Sequence, residues 1–194
     1  SGTAIANDFC LPEGEARAQS LAHTRRWIDH AALLGAPVIR IFAGSVPTGD
    51  TAAASIDRCV AGIHEALDHA EAKGVCLALE NHGGITDRPE QMLQIVRNVR
   101  QSPWFGVNFD GGNFRSADPY ADLAQIAPYA LNGQIKTDIF RNNQREDTDL
   151  ERVLAILKSA GYRGYIVLEY ESSEDPRTAV PKHLQTLRRL ISRS

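Results

Sequence analysis

The sequence predicts an α/β fold of the TIM (β/α)8 barrel type, and three observations carry that prediction. Strand-like and helix-like segments alternate along all 194 residues with no break in composition. Such alternation implies a parallel sheet with right-handed crossovers, here as one domain over residues 1–194. Three short apolar runs each end on a carboxylate: Leu77-Ala78-Leu79-Glu80, Val107-Asn108-Phe109-Asp110 and Ile166-Val167-Leu168-Glu169. A buried strand gains nothing from an acid at its end. Converging parallel strands let distant acids share a ligand, and barrels gather their catalytic residues at the C-terminal strand ends. The third observation separates the barrel from a doubly wound open sheet, the other fold that alternation allows. No G-x-G-x-x-G or G-x-x-x-x-G-K-[ST] motif follows any strand.

Each element has a local reason. Thr3–Ala6 is a short apolar run broken by Asn7-Asp8-Phe9. Glu15 to Leu34 carries Leu21, Trp27, Ile28, Ala31 and Leu34 at helical spacing, and Gly35 suits its end. Val38–Phe42 is the next strand. Thr51 to Lys73 is a long helix with Ile56, Val60, Ile63, Leu67 and Ala70 on one face, stopped by Gly74. Val75–Leu79 follows as a strand, and Asp87 is expected to cap a helix with Pro89 in its first turn. Gly106–Phe109 then reads as a strand, Pro119–Ala130 as a helix and Gly133–Lys136 as a strand. Leu150–Ala160 is a helix closed by Gly161, and Tyr165–Leu168 is the last strand. The final helix is expected from Thr178 to Ser192, with Pro181 in its first turn. These are six βα units, whereas a complete barrel needs eight and typically ~250 residues. The barrel is two units short.

Composition narrows the function. A net charge of -3 supplies no field for gathering nucleic acid or an anionic membrane surface. No apolar run approaches the ~18 residues of a membrane span, and no signal peptide is evident at the start. Cys10, Cys59 and Cys76 are scattered, without C-x-x-C spacing, and read as reduced thiols of a cytoplasmic protein. The expected partner is a small molecule.

The strand-end segments resemble a known family. Leu77-Ala78-Leu79-Glu80-Asn81-His82-Gly83-Gly84, Asn108-Phe109-Asp110-Gly111-Gly112-Asn113-Phe114, Gln134-Ile135-Lys136 and Leu168-Glu169-Tyr170 are similar to the xylose isomerase-like TIM barrels. That superfamily of sugar phosphate isomerases and epimerases includes ketose 3-epimerases, hydroxypyruvate isomerases, inosose dehydratases and type IV AP endonucleases. Ala6-Asn7-Asp8-Phe9 and Gly35 to Gly44 resemble the family's third and fourth strands, so the chain is expected to supply strands three to eight. The two absent units would leave strand edges open. The expectation is an incomplete chain, or a second chain covering the gap as in a homo-oligomer.

The resemblance implies a divalent metal held by Glu80, Asp110, Gln134 and Glu169. The family's third ligand is His; an uncharged amide oxygen in its place suits Mn2+ or Mg2+ better than Zn2+. It also implies a metal-dependent isomerase or epimerase of a sugar or sugar phosphate, working by proton abstraction next to a carbonyl, with Glu80 and Glu169 as the acid/base pair and Asp110 as an anchor. The family's D-x-x-H is Asp110-Gly111-Gly112-Asn113 in this chain, which makes Asn113 a substrate contact. No histidine lies between His82 and His183, which disfavours the multi-zinc DNA-repair branch. The same site could serve a keto-sugar or keto-inositol dehydratase or lyase. A sugar-binding homologue without activity is the third reading.

Other polar residues are weighed against plainer roles. Lys136 is the sole lysine inside a strand; it meets an anionic substrate, or pairs with Glu169 or Asp138. Asp138 two residues on suggests a bulge there. Arg141 is a candidate for gripping a phosphate or carboxylate, against a solvated loop arginine. His82 shares a face with Glu80 if the strand continues. Arg40, mid-strand, is read as pairing with an acid such as Glu80 before contacting substrate. Asn7, at the end of its strand, is a further substrate-side candidate. His64 and His69 are read as solvated.

Overall fold

A computed structural model describes residues 1–192. Six strands form one parallel sheet: β1 (Thr3–Ala4), β2 (Val38–Ile41), β3 (Cys76–Glu80), β4 (Phe105–Asp110), β5 (Ala130–Lys136) and β8 (Ile166–Glu169). Their order is β1-β2-β3-β4-β5-β8, every pairing parallel. The connecting helices are α1 (Glu15–Leu33), α2 (Ala52–Lys73), α3 (Pro89–Asn98), α4 (Pro119–Ile126) and α5 (Leu150–Ser159), with α6 (Pro176–Ile191) after the last strand. This is six βα units of a TIM-type α/β fold, a curled half-barrel. Among the described residues no helix is long and apolar enough to cross a membrane.

Alternation along the strands sorts the side chains. Ile39, Ile41, Leu77, Leu79, Val107, Phe109 and Ile135 join the apolar core with the helices. The residues between them, Arg40, Glu80, Asn108, Asp110, Gln134 and Lys136, lie on the opposite, inner face. Successive strands are in register there: Glu80 lies beside Asn108, Asp110 beside Gln134, and Lys136 beside Glu169.

Several boundaries differ from expectation, each for a physical reason. Helix α4 stops at Ile126 rather than Ala130, because Pro128 has no N–H to continue it; a 3-10 turn, Ala127–Tyr129, leads directly into β5. Strand β5 therefore starts at Ala130, three residues before Gly133. Asp87 does not cap α3. Arg88 holds that position with no side-chain bond, and Asp87 closes a 3-10 turn over Gly84–Thr86. Helix α6 begins at Pro176 behind the Asp175 cap, so Pro176 is the first-turn proline and Pro181 lies inside the helix. The irregularity expected at Asp138 is instead a register shift opposite Val107 and Asn108, which leaves Leu131 between paired residues.

Beyond Thr137 the chain forms an unforeseen antiparallel hairpin, β6 (Asp138–Arg141) and β7 (Gln144–Asp147). Asn142 and Asn143 turn it with φ of 48° and 63°, the left-handed conformation that two-residue hairpin loops need. His64 and His69 hold helix contacts: His64 Nε2 accepts from Arg100 N–H (2.9 Å) and His69 Nε2 meets Asp29 Oδ1 (2.9 Å).

Candidate active site

Glu80 comes to the barrel mouth as the last residue of β3, and a short turn fixes it there. Thr86 Oγ1 donates to the Glu80 carbonyl (3.1 Å) and accepts from His82 N–H (3.0 Å). Asp110 at the end of β4 is held just as tightly. The buried Asn81 side chain donates to the Asp110 carbonyl (3.0 Å) and accepts from its N–H (2.9 Å), tying two strand ends together. Asp110 Oδ1 accepts from Gly112 N–H (2.9 Å). Gly112 allows Lys136 to pass: a Cβ there would lie 2.5 Å from the Asp138 carbonyl oxygen and 2.9 Å from Lys136 Cβ.

A chain of amides runs through the centre. Asn132 Nδ2 donates to Asn108 Oδ1 (2.8 Å), and Asn108 Nδ2 donates to Gln134 Oε1 (3.1 Å) and to Glu80 Oε2 (2.8 Å). Gln134 Nε2 then donates to both Asp110 Oδ2 (2.8 Å) and Glu169 Oε2 (2.7 Å). One amide thus links acids from two strands, and its neighbour holds the third.

Two cations face these acids. Arg40 Nε lies 3.1 Å from Glu80 Oε2, a charge contact off the line of a hydrogen bond, while Arg40 NH1 donates to the Ile5 carbonyl. Its guanidinium rests 4.0 Å over the Phe42 ring. Lys136 Nζ lies 2.7 Å from Glu171 Oε2, 3.1 Å from Glu169 Oε2, 3.1 Å from Asn113 Oδ1 and 3.6 Å from Asp110 Oδ2. Asp138 pairs instead with Arg145 in the hairpin (2.8 Å).

The electrostatics follow from burial. Burial pushes the Glu80 carboxyl up to about 7, opposed by Arg40 and reinforced by Glu169. Burial likewise pushes Asp110 up to about 8, against the pull of Lys136. Burial alone would lower Lys136, but the charges of Asp110, Glu171 and Glu169 hold it well above the usual lysine range. Partial burial, with Lys136 and Arg40 nearby, holds the His82 imidazole below its usual range. Four carboxylates face two cations, so the fully ionised cluster carries a formal charge of −2.

That deficit bears on metal binding. Hard oxygen donors with a net charge of −2 suit a divalent cation. Among the described residues, however, no three acid, histidine or cysteine side chains are gathered closely enough to hold one. Gln134 Nε2 and Lys136 Nζ stand between the acids. The donor chemistry fits only with Lys136 Nζ moved aside and the Gln134 amide oxygen turned to the acids, which gives up the bond that oxygen accepts from Asn108 Nδ2.

The remaining predicted residues divide. Asn113 is within the cluster: its Nδ2 lies 3.4 Å from Glu80 Oε1. His82 lies tilted against Phe42 at the rim (ring centroids 4.4 Å apart, planes at 35°). Asn7 is engaged by the backbone, donating to the Phe42 carbonyl (2.8 Å) and accepting from its N–H (2.9 Å). Arg141 belongs to the hairpin, where it bonds the Ala117 carbonyl (2.7 Å) and Glu146 (3.3 Å). Both are taken up by such contacts. Sequence reasoning missed Asn81, Asn108, Asn132 and Glu171. Asn108 and Asn132 were within reach of one rule, each lying two residues from a named site residue on the same strand and hence on the same face; Glu171 lies two residues past Glu169, beyond the end of β8. Asn81 gave no such signal.

A model of the xylose isomerase-like TIM barrel matches residues 2–190, and the chain belongs to that family. Solved structures agree on the fold. A xylose isomerase domain protein from Planctomyces limnophilus is 24% identical with a TM-score of 0.75, over 93% of this chain and 68% of that one. A xylose isomerase-like TIM barrel protein from Mycobacterium smegmatis, solved in complex with magnesium, is 19% identical with a TM-score of 0.74, over 98% and 73%. An L-ribulose 3-epimerase is 18% identical with a TM-score of 0.70, over 94% and 67%. No curated protein matches the chain.

Proposed function

We propose that the chain is a metal-dependent sugar isomerase or epimerase that works by removing a proton next to a carbonyl. The observation that carries this reading is the convergence of Glu80, Asp110 and Glu169, from three separate strands, on one amide network. Relatives with this fold include an L-ribulose 3-epimerase and a protein that binds magnesium. On this reading residues 1–194 work as one domain on a small sugar.

Glu80, Asp110, Gln134 and Glu169 would hold the ion, with Mn2+ or Mg2+ favoured by the all-oxygen donor set. When bound, such an ion polarises a carbonyl and its neighbouring hydroxyl, which lowers the cost of negative charge on oxygen. The chain supplies the proton transfers. Glu169, with 37% of its side chain exposed, is the base that meets the substrate C–H. Glu80, buried at the end of β3 and held by Asn108, is the group that returns a proton. Return to the opposite face gives the epimer; return to the neighbouring carbon gives the isomer. Asp110, sealed by Asn81 and Gly112, is an anchor. Lys136 offers an ammonium donor to an oxygen that gains charge.

The test is solvent deuterium uptake by a panel of ketoses in D2O with Mn2+, followed by NMR. Uptake should occur for at least one ketose and fall by about 10²–10⁴-fold in Glu169→Gln. Unaltered uptake in that variant would remove Glu169 as the base.

A further inference from the structure

A cavity of 710 Å³ opens beside the acid cluster, walled by the loops after β3 and β4, the start of α3 and the tip of the β6–β7 hairpin. We propose that it is a second sugar subsite. The substrate is then a keto-sugar bearing a second neutral, hydroxyl-rich group, such as a glycoside or a ketose disaccharide. This inference rests on the isomerase reading for the first ring only.

Position is the first argument. His82 and Asn113 line the cavity, and Asn113 also reaches Glu80 (3.4 Å) and Lys136 (3.1 Å). A ligand with its reacting carbons at the acids therefore has its next ring at the cavity mouth. The β3 and β4 loops belong to the middle of the sheet, away from its β1 and β8 edges, so this chain builds these walls itself.

Size is the second. Pockets of about 300–1,000 Å³ take drug-sized ligands, and this one exceeds what a single sugar ring fills. Chemistry is the third. Arg88 and Arg115 are interleaved with Asp87, Glu90 and Asp122. A phosphate would need cations that converge without acids among them. Interleaved donors and acceptors without net positive charge suit hydroxyl groups, which do both. The side chains of Arg88, Glu90 and Asn143 make no hydrogen bond or ion pair among the described residues, so their capacity is free for a ligand. Asn143 is held over the cavity by its left-handed turn (φ 63°). Arg141, the earlier candidate for a phosphate, is already engaged by Ala117 and Glu146.

The experiment compares calorimetric affinities, with Mn2+ present, for D-fructose, fructose 6-phosphate and the ketose disaccharides turanose, lactulose and isomaltulose. At least one disaccharide should bind about tenfold more tightly than fructose, a gain of ~1.4 kcal/mol. That advantage should drop to about threefold or less in Arg88→Ala/Asn143→Gly. Glycine keeps the left-handed turn, and Arg88 is exposed, so the variant retains the fold. The subsite is overturned if fructose or its phosphate binds as tightly as every disaccharide, if the advantage survives in the variant, or if none of the sugars binds. Deuterium uptake measured on the same panel separates the two readings. Disaccharide preference without uptake removes the reaction and leaves the subsite; uptake from fructose without preference does the reverse.

Discussion

At the scale of single residues, Lys136 and Gln134 decide what the acids can do. Lys136 is the cation already seated among Glu169, Glu171 and Asp110, so it opposes any second cation there. Lys136→Met should tighten Mn2+ binding by about tenfold or more, given the repulsion between charges a few ångströms apart. Titration calorimetry in the absence of sugar reads this, and weaker binding would contradict it. The raised carboxyl pKa values set a pH dependence. Glu80 moves from 4.5 to about 7 and Asp110 from 3.8 to about 8, so the folded protein binds more protons than the unfolded chain between those values. The contribution of these two acids to stability is then fully present below about pH 4 and is lost as pH rises through 7–8. Melting in EDTA should occur at a lower temperature at pH 8 than at pH 5, and Mn2+ should reduce the difference. Melting independent of pH in EDTA would count against the buried acids.

The elements show where sequence reading works and where it stops. Apolar periodicity located each βα unit, because helix and strand faces must meet one core, and the Asp110 and Glu169 strand ends fell where expected. The hairpin was not legible: Gln144-Arg145-Glu146-Asp147 is polar throughout and exposed, so no burial pattern marks it. Nor was the use of Asn81, which acts across strands and leaves no local periodicity. Two expectations test these joints. Asn81→Ala strands the Asp110 N–H and carbonyl in the interior and should cost about 2–4 kcal/mol in urea unfolding; a cost near zero would mean the strand ends are tied otherwise. Gly112→Ala forces a methyl against the Asp138 carbonyl and the Lys136 stem, for about 1–3 kcal/mol. An unchanged melting temperature there would show the hairpin junction to be looser than the structure describes.

For the whole molecule, the half-barrel's parallel order explains why the site exists at all. Residues 80, 110, 134 and 169 are far apart in the chain, and only strands that all run the same way deliver them to one end. The sequence made that convergence visible, since each acid sits at the C-terminal end of an apolar run. It also placed Gln134, but not the amide chain that turns its nitrogen toward the acids. Anomalous diffraction from crystals soaked in Mn2+ reads whether these residues share one divalent ion. A single strong peak is expected within about 2.0–2.3 Å of oxygens from Glu80, Asp110, Gln134 and Glu169. No peak at that position, with Gln134 Nε2 and Lys136 still between the acids, would contradict it.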